Sequence, residues 1–340
     1  MKTRIAINGF GRIGRSFVRA AYNDEDIEIV AVNDLGDVSN LAYLLRYDSV
    51  SGRAPFSVET TDGKIVIGGK EVAFISEKDP TKLPWKDMQI DIVVESTGIF
   101  DSYDKASAHI TAGAKRVVIT APARGEDTET GATVLVGVNE ERLKTCNISS
   151  NASCTTNSAS PLIAILDEKL GIEKALLNTV HAYTATQSIV DSPAKGDMRR
   201  GRAAAQNIVP SSTGAAIAVT RAYTQLVDKF DGVAMRVPVV CGSIVDITFI
   251  AKRDTTAEEV NAILEAAAKE ERWNGIFTAT YEQLVSADIV GTRYGSTADL
   301  SMTRVVGGNL VKVMGWYDNE MGYTYTLLRH VKAAAKYLAK

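Results

Sequence analysis

Cysteine is nearly absent from the chain: three residues in 340, at positions 146, 154 and 241. An odd count without paired spacing excludes a disulfide framework. Histidine is as rare, and positions 109, 181 and 330 are too scattered for a metal site, so no metal is expected. No apolar run approaches the length of a membrane span. The formal net charge of −3 draws the chain toward neither nucleic acid nor an anionic membrane, and neither is expected as a partner. Pro-rich linkers, low-complexity tracts and internal repeats are missing. The first residues read as a strand and not as a signal peptide. Together these point to a reducing, cytoplasmic setting. The length itself exceeds one ordinary core, so two domains are expected.

What is present begins with "RIAINGFGRIGRSFVRAAYN". Strand-like Arg4–Asn8 turns through Gly9-Phe10-Gly11-Arg12-Ile13-Gly14 into a helical pattern with Ile13, Phe17, Val18 and Ala21 on one face. G-x-G-x-x-G between strand and helix brings backbone close to a pyrophosphate, over the partial positive charge of a helix N-terminus. The next strand ends at Asp34, twenty residues beyond Gly14. An acid there accepts from the ribose hydroxyls and repels a 2′-phosphate, which favours NAD. "DIVVESTG" and "AKRVVITAPA" read as further parallel strands. Their ends place Ser96, Thr97, Gly98 and Thr120 at the cofactor cleft. "SVETTDGKIVIGGKEVAFIS" reads as a peripheral antiparallel flap without chemistry of its own.

The second half is richer in strands. "ALLNTVHAY", "VAMRVPVVCGSIVDITFIAKR" and "NLVKVMGWYDNE" are β-like, while Ser160–Gly171 and "TAEEVNAILEAAAKEERW" have helical periodicity. Thr256 and Glu259 have capping-box spacing. The fold class is therefore α/β: an N-terminal Rossmann-type dinucleotide-binding domain, then an α+β catalytic domain with a mostly antiparallel sheet. The expected boundaries are residues 1–153 plus a C-terminal helix at 320–340 for the first domain, and 154–319 for the second. That helix should dock its apolar face (Leu327, Leu328, Val331, Ala334, Leu338) on the first domain.

"SNASCTTN" surrounds Cys154 with hydroxyl and amide groups that would solvate a thiolate. A position just before a helix start favours a lowered thiol pKa. Of the histidines, His181 lies at a strand end between polar residues and is the candidate base, whereas His109 and His330 read as structural. Cys146, before a strand edge, and Cys241, inside a strand, read as inert. A thiolate beside a dinucleotide site adds to an aldehyde to give a thiohemiacetal, the histidine takes the hydroxyl proton, and the product is a thioester.

With these residues, "INGFGRIGR", "SNASCTTN", "HAYTATQ", "GRAAAQNIVPSSTGAA", "MRVP" and "WYDNEMGYTYTLL" occur in the order and spacing of a known family. The chain resembles the phosphorylating glyceraldehyde-3-phosphate dehydrogenases along nearly its full length. The resemblance implies that Cys154 is the nucleophile, His181 the base, and Asn319 the residue holding the nicotinamide carboxamide. It implies that Thr184 and Arg236 bind the substrate's phosphate, and that Ser153, Thr155, Thr213 and Gly214 bind the attacking inorganic phosphate. Residues 184–207 match the family's S-shaped loop, which implies a homotetramer. One of Arg199, Arg200 and Arg202 is expected to aid phosphate, with the choice left open.

The implied activity is oxidation of D-glyceraldehyde 3-phosphate to 1,3-bisphosphoglycerate with inorganic phosphate and NAD, with NADP as a possible second cofactor. The alternative within the fold is an erythrose-4-phosphate dehydrogenase, a branch that tends to differ around the base. A semialdehyde dehydrogenase would lack the double phosphate constellation. A cysteine hydrolase would need no dinucleotide loop. The chain also departs from the family pattern: Ser158 replaces a common second cysteine, "VVCGS" stands where "TPN(V)S" is common, Met321 replaces a tryptophan, and Ser192 precedes Pro193.

Overall fold

Short apolar runs bounded by glycine and polar turns form the strands of the first sheet. In the computed structural model, which describes residues 2–338, the chain divides into two units. One contains Met1–Val136, Glu140–Ala152 and Leu327–Lys340; the other contains Gly137–Asn139 and Ser153–Thr326.

The first unit is built on a nine-stranded sheet with Thr3–Asn8 near its middle. That strand pairs in parallel with Ile27–Asn33 on one side and Ile92–Glu95 on the other. The order continues outward through Arg116–Ile119, Ile148–Ser150 and Gly131–Thr133, all parallel. The chain thus winds away from Thr3–Asn8 in both directions, the topological switch at which such sheets bind ligands. Lys70–Ile75 joins in parallel, and Lys64–Ile67 and Val58–Thr61 add antiparallel hairpins. The expected flap is therefore continuous with the main sheet. The strands Ile92–Glu95 and Arg116–Ile119 are buried throughout, as parallel strands covered on both faces must be.

The C-terminal helix Met321–Ala335 buries Leu327, Leu328, Val331 and Ala334, while Leu338, beyond its end, is half-buried. Within the first unit His330 is sealed in the interior, with Nε2 2.7 Å from Ser149 Oγ and Nδ1 3.1 Å from Asn151 Oδ1. Burial pulls its pKa down to about 3. The Ser149–His330–Asn151 set has the connectivity of a hydrolytic triad but no solvent access, so it is packing.

The second unit has an eight-stranded, mostly antiparallel sheet. Its centre is Ile172–Ala182, antiparallel to Ser243–Ala251 and parallel to Phe230–Val237. Ser243–Ala251 alternates buried and half-buried residues along its whole length, the signature of a sheet with two unequal faces. The 17-residue helix Cys154–Leu170 packs on this sheet. Gly315 allows the approach: a Cβ there would lie 2.8 Å from Leu162 Cδ1 and 2.8 Å from Ser296 Oγ. Sequence periodicity placed the helix start at Ser160; the observed start is Cys154, because Ser153 caps it through the Thr156 N–H. Residues 155–166 are buried on every side, and such a helix leaves no amphipathic stripe to detect. Thr256 caps Ala257–Ala267 through the Glu259 N–H, but the Glu259 carboxylate turns to Arg253 and Thr255, so the capping box is half formed.

Candidate active site

The glycine loop meets the requirements of a dinucleotide cradle. Gly9 has φ +94°, and a Cβ there would lie 2.6 Å from the Thr97 N. A Cβ on Gly14 would lie 2.3 Å from the Gly9 carbonyl oxygen, whereas one on Gly11 would enter open space. The helix Arg12–Ala21 has no side-chain cap at its N-terminus, which suits its first turn to an anion. The Arg12 side chain is paired with Asp48 at 3.0 Å, so its contribution to such a cradle is its backbone and the position of the turn, with Ile13 beside it.

Asp34 accepts from the Phe10 N–H at 2.6 Å and the Gly36 N–H at 2.8 Å, one on each oxygen. Each oxygen keeps a lone pair for a ligand hydroxyl. Ser96 donates to the Gly9 carbonyl at 2.6 Å, which holds its loop against the glycine turn. The Thr97 N–H and hydroxyl are held by Glu95, and Gly98 follows at φ +70°. The Thr120 N–H donates to the Glu95 carbonyl at 2.9 Å. Ser96, Thr97, Gly98 and Thr120 thus cluster at the ends of two adjacent strands, within reach of the glycine turn through Ser96.

In the second unit, Cys154 is the first residue of its helix and is partly exposed. Its Sγ lies 3.4 Å from His181 Nε2. His181 Nδ1 lies 2.6 Å from the Ala182 carbonyl oxygen, an acceptor only, and 3.3 Å from the donor Arg236 Nη1; the much shorter contact assigns the proton to Nδ1 and leaves a lone pair on Nε2 for the sulfur. Parallel pairing sets His181 directly beside Arg236. Arg236 Nη1 donates to the Ala182 carbonyl at 3.3 Å and to Thr184 Oγ1 at 3.4 Å, while its buried Nε has no partner among the described residues. A buried guanidinium N–H without an acceptor is unusual and fits an anion. The Tyr317 hydroxyl lies 2.9 Å from Thr155 Oγ1 and 2.7 Å from Thr179 Oγ1, and its ring meets that of His181 edge-on.

Burial pushes the Cys154 thiol up to about 11, against Arg236 and the Thr155 N–H and hydroxyl, which favour the thiolate. Burial and the Arg236 charge pull the His181 imidazole down to about 4. The helix start alone therefore does not lower the thiol, contrary to the reading from sequence. What offsets the two burial costs is contact: proton transfer from Sγ to Nε2 creates opposite charges 3.4 Å apart, and the two groups titrate as a pair.

Ser153 Oγ caps the helix and lies 2.7 Å from Thr156 Oγ1. Thr213 and Gly214 stand at the start of a second helix, Ala215–Ala222, with Thr213 Oγ1 accepting from the Ala215 N–H at 3.2 Å. Arg199 is paired with Asp197, and Arg202 with Asp191. Arg200 instead donates to Ser211 Oγ at 3.0 Å, close before Thr213 and Gly214, and its charge reaches Arg236. Asn319 follows the strand Leu310–Tyr317, its Oδ1 accepting from the Gly242 N–H and the Ser243 hydroxyl.

Residues 3–103 match the family model described as glyceraldehyde 3-phosphate dehydrogenase, NAD binding domain, and residues 153–319 match the C-terminal domain of the same family. The chain is 51% identical over 324 residues to the glyceraldehyde-3-phosphate dehydrogenase of Thermotoga maritima, covering 94% of this chain and 96% of that one. It is 48% identical to the Streptomyces coelicolor enzyme of that name, over 96% of this chain and 97% of that one, and 47% identical to the Geobacillus stearothermophilus enzyme, over the same shares. The chain belongs to the glyceraldehyde-3-phosphate dehydrogenase family. Family membership disfavours the erythrose-4-phosphate alternative.

Against the family pattern, Ser158 is buried and its hydroxyl donates to Ser296 Oγ at 3.3 Å. Ser192 Oγ lies 2.6 Å from Ser188 Oγ. Cys241 lies in the turn before Ser243–Ala251 and not in a strand, and its thiol donates to Asp318. Burial and Asp318 raise the Cys241 pKa, and burial raises that of Cys146, so both thiols stay protonated. Among the described residues no group of three or more His, Cys, Asp or Glu is placed to hold a metal ion, and no helix is long and apolar enough to cross a membrane. Reading residues missed Tyr317, Thr179 and Ser243. The alternation Thr179–His181 along one strand was a usable signal for Thr179, since both face the same side.

Proposed function

We propose that the protein oxidises D-glyceraldehyde 3-phosphate to 1,3-bisphosphoglycerate through a thiohemiacetal and then a thioester on Cys154. The observation that carries this reading is the 3.4 Å contact between Cys154 Sγ and the unprotonated Nε2 of His181, beside the half-buried Arg236, whose Nε is buried and unpartnered among the described residues. His181 takes the thiol proton as sulfur adds to the aldehyde carbon, and returns it to the alkoxide, which faces the helix N-terminus, to give the neutral thiohemiacetal. His181 then takes the hydroxyl proton as the thiohemiacetal is oxidised. NAD, when bound, supplies the hydride acceptor. Inorganic phosphate attacks the thioester carbonyl, the C–S bond breaks, and the acyl phosphate leaves.

Thr184 and Arg236 hold the substrate phosphate. Arg236 opposes a charged His181, so an anion on Arg236 removes a charge that weakens the base. Ser153, Thr155, Thr213 and Gly214 receive the attacking phosphate at two helix starts, close to the Cys154 sulfur that the Thr155 N–H and hydroxyl also face. Arg200, which has no carboxylate partner among the described residues, is the arginine of its trio that serves there. The first unit binds NAD through Gly9–Gly14 and Asp34, with Ser96, Thr97, Gly98 and Thr120 along the ring side, and Asn319 fixes the nicotinamide amide. Use of NADP as a second cofactor follows from the small Ser192 and is limited by the Asp34 charge.

Exposed apolar side chains support a homotetramer: Ile189, Val190 and Met198 on the S-shaped loop, and Leu176, Ile217 and Val227 elsewhere on the second unit. A cytoplasmic setting accords with three unpaired cysteines. The test is NADH formation from glyceraldehyde 3-phosphate. Steady turnover that requires inorganic phosphate and is lost in Cys154→Ser supports the reading; phosphate-independent turnover contradicts it. Running the same assay on Asp34→Ala with NAD and NADP measures the cofactor choice, which should move toward NADP.

A further inference from the structure

An asparagine amide is symmetric in shape but not in chemistry: one end accepts, the other donates. Which end of Asn319 meets a ligand is decided by what holds the other. Its Oδ1 accepts from the Gly242 N–H at 3.1 Å and from the Ser243 hydroxyl at 3.1 Å. Both lone pairs of that oxygen are therefore used. Among the described residues, Nδ2 is the end left to meet a ligand.

The turn that supplies the two donors is itself locked. Gly242 has φ +92°, and a Cβ there would lie 2.3 Å from the Ser286 carbonyl oxygen, so its N–H direction admits no side chain. The neighbouring Cys241 thiol donates to Asp318 Oδ1 at 3.2 Å. Asp318 in turn accepts from the Glu320 N–H at 2.7 Å and the Met321 N–H at 2.9 Å, fixing the backbone on either side of Asn319. Ser243 is fully buried and is paired across the sheet with Tyr317. Its Oγ accepts from the Ala182 N–H at 3.1 Å and donates to Asn319 Oδ1, with the Tyr317 hydroxyl as a further neighbour. Ala182 is also the residue whose carbonyl sets the His181 tautomer. One hydroxyl thus ties the backbone next to the base to the orientation of the Asn319 amide.

We infer that Ser243, with the Gly242 N–H, is a positioning residue that fixes Asn319 as a hydrogen-bond donor, so that the site selects a pyridine ring bearing a carbonyl oxygen. This rests on the proposal that Asn319 meets the nicotinamide amide. A nicotinamide offers both a carbonyl oxygen and an NH2 group; a fixed donor reads the oxygen. A freely turning amide would read either.

The test measures calorimetric dissociation constants on the full chain for NAD and two analogues: 3-acetylpyridine adenine dinucleotide, which keeps the carbonyl, and 3-aminopyridine adenine dinucleotide, which has only the donor. The natural chain should bind the acetyl analogue within a few-fold of NAD and the amino analogue roughly tenfold more weakly. Ser243→Ala should weaken NAD binding roughly three- to tenfold and narrow the gap between the analogues, and Ser243→Thr should restore the gap. Equal binding of both analogues by the natural chain, or an undiminished gap in Ser243→Ala, overturns the inference. An unchanged gap in Asn319→Ala overturns instead the placement of Asn319 against the ring.

Discussion

At the scale of single residues, the account depends on a proton shared between Cys154 and His181. Burial disfavours the charge on each, and only their contact and the surrounding donors favour the pair. Removing the imidazole should therefore leave the Cys154 thiol with less to stabilise its thiolate. In His181→Asn, the rate of Cys154 alkylation by iodoacetamide should rise only at higher pH than in the natural chain. The rate at pH 7 should fall about tenfold for each unit by which the apparent pKa rises. Superimposable pH–rate profiles for the two proteins contradict the pairing. Arg236 makes a different prediction. Its Nε, unpartnered among the described residues, and its place beside His181 are the basis for proposing that it holds an anion. Arg236→Gln should weaken productive use of the phosphorylated aldehyde by about 10- to 100-fold in kcat/KM, the range for a charged hydrogen bond. Steady-state kinetics with glyceraldehyde 3-phosphate and with unphosphorylated glyceraldehyde separate the effects: the loss should be much smaller with the latter.

At the scale of elements, the site is a product of strand register and of one helix start. His181 and Arg236 are fifty-five residues apart in sequence but are direct neighbours in the parallel pair Ile172–Ala182 and Phe230–Val237. The helix Cys154–Leu170 is held at its distance from the sheet by Gly315, where a Cβ would strike Leu162 and Ser296. Gly315→Ala should cost about 1–3 kcal/mol through overpacking, read as a lower urea midpoint. An unchanged midpoint would show that the helix is free to give way.

The elements also show what sequence alone conveyed. The glycine turn, Asp34 and the strand-end polar residues were legible because local spacing encodes them, and the cysteine because its polar neighbours are unusual for a structural thiol. The early start of the Cys154 helix was not legible, since a helix buried all round has no periodic stripe. Nor was the Cys241 turn: apolar residues on either side of it read as one continuous strand until the φ +92° of Gly242 and the Asp318 carboxylate are seen. Ser243 and Tyr317 escaped because their roles arise from cross-strand pairing, which no local pattern specifies.

At the scale of the whole molecule, stability and acid response follow from polar groups sealed in apolar surroundings. His330 stays neutral when folded, with a pKa pulled down to about 3 by burial. On unfolding it regains its ordinary value near ~6.5 and takes up a proton. Between those values the unfolded chain binds more protons, so stability falls as pH falls from about 6.5 toward 3. His330→Gln should lower stability at pH 7 yet flatten the pH dependence across that window by about one proton, measured by urea unfolding at several pH values. A slope unchanged by the substitution would remove His330 as a source of acid sensitivity.

The central claim, that oxidation proceeds through an acyl group carried on Cys154, has its most direct test in a single turnover. Mixing the protein with NAD and glyceraldehyde 3-phosphate in the absence of inorganic phosphate should give a burst of NADH no larger than one equivalent per chain. Intact-mass analysis of the quenched protein should then show the 3-phosphoglyceryl group attached at Cys154, and adding phosphate should release it. A burst with no mass change at Cys154, or an acyl group that phosphate does not discharge, would contradict the account.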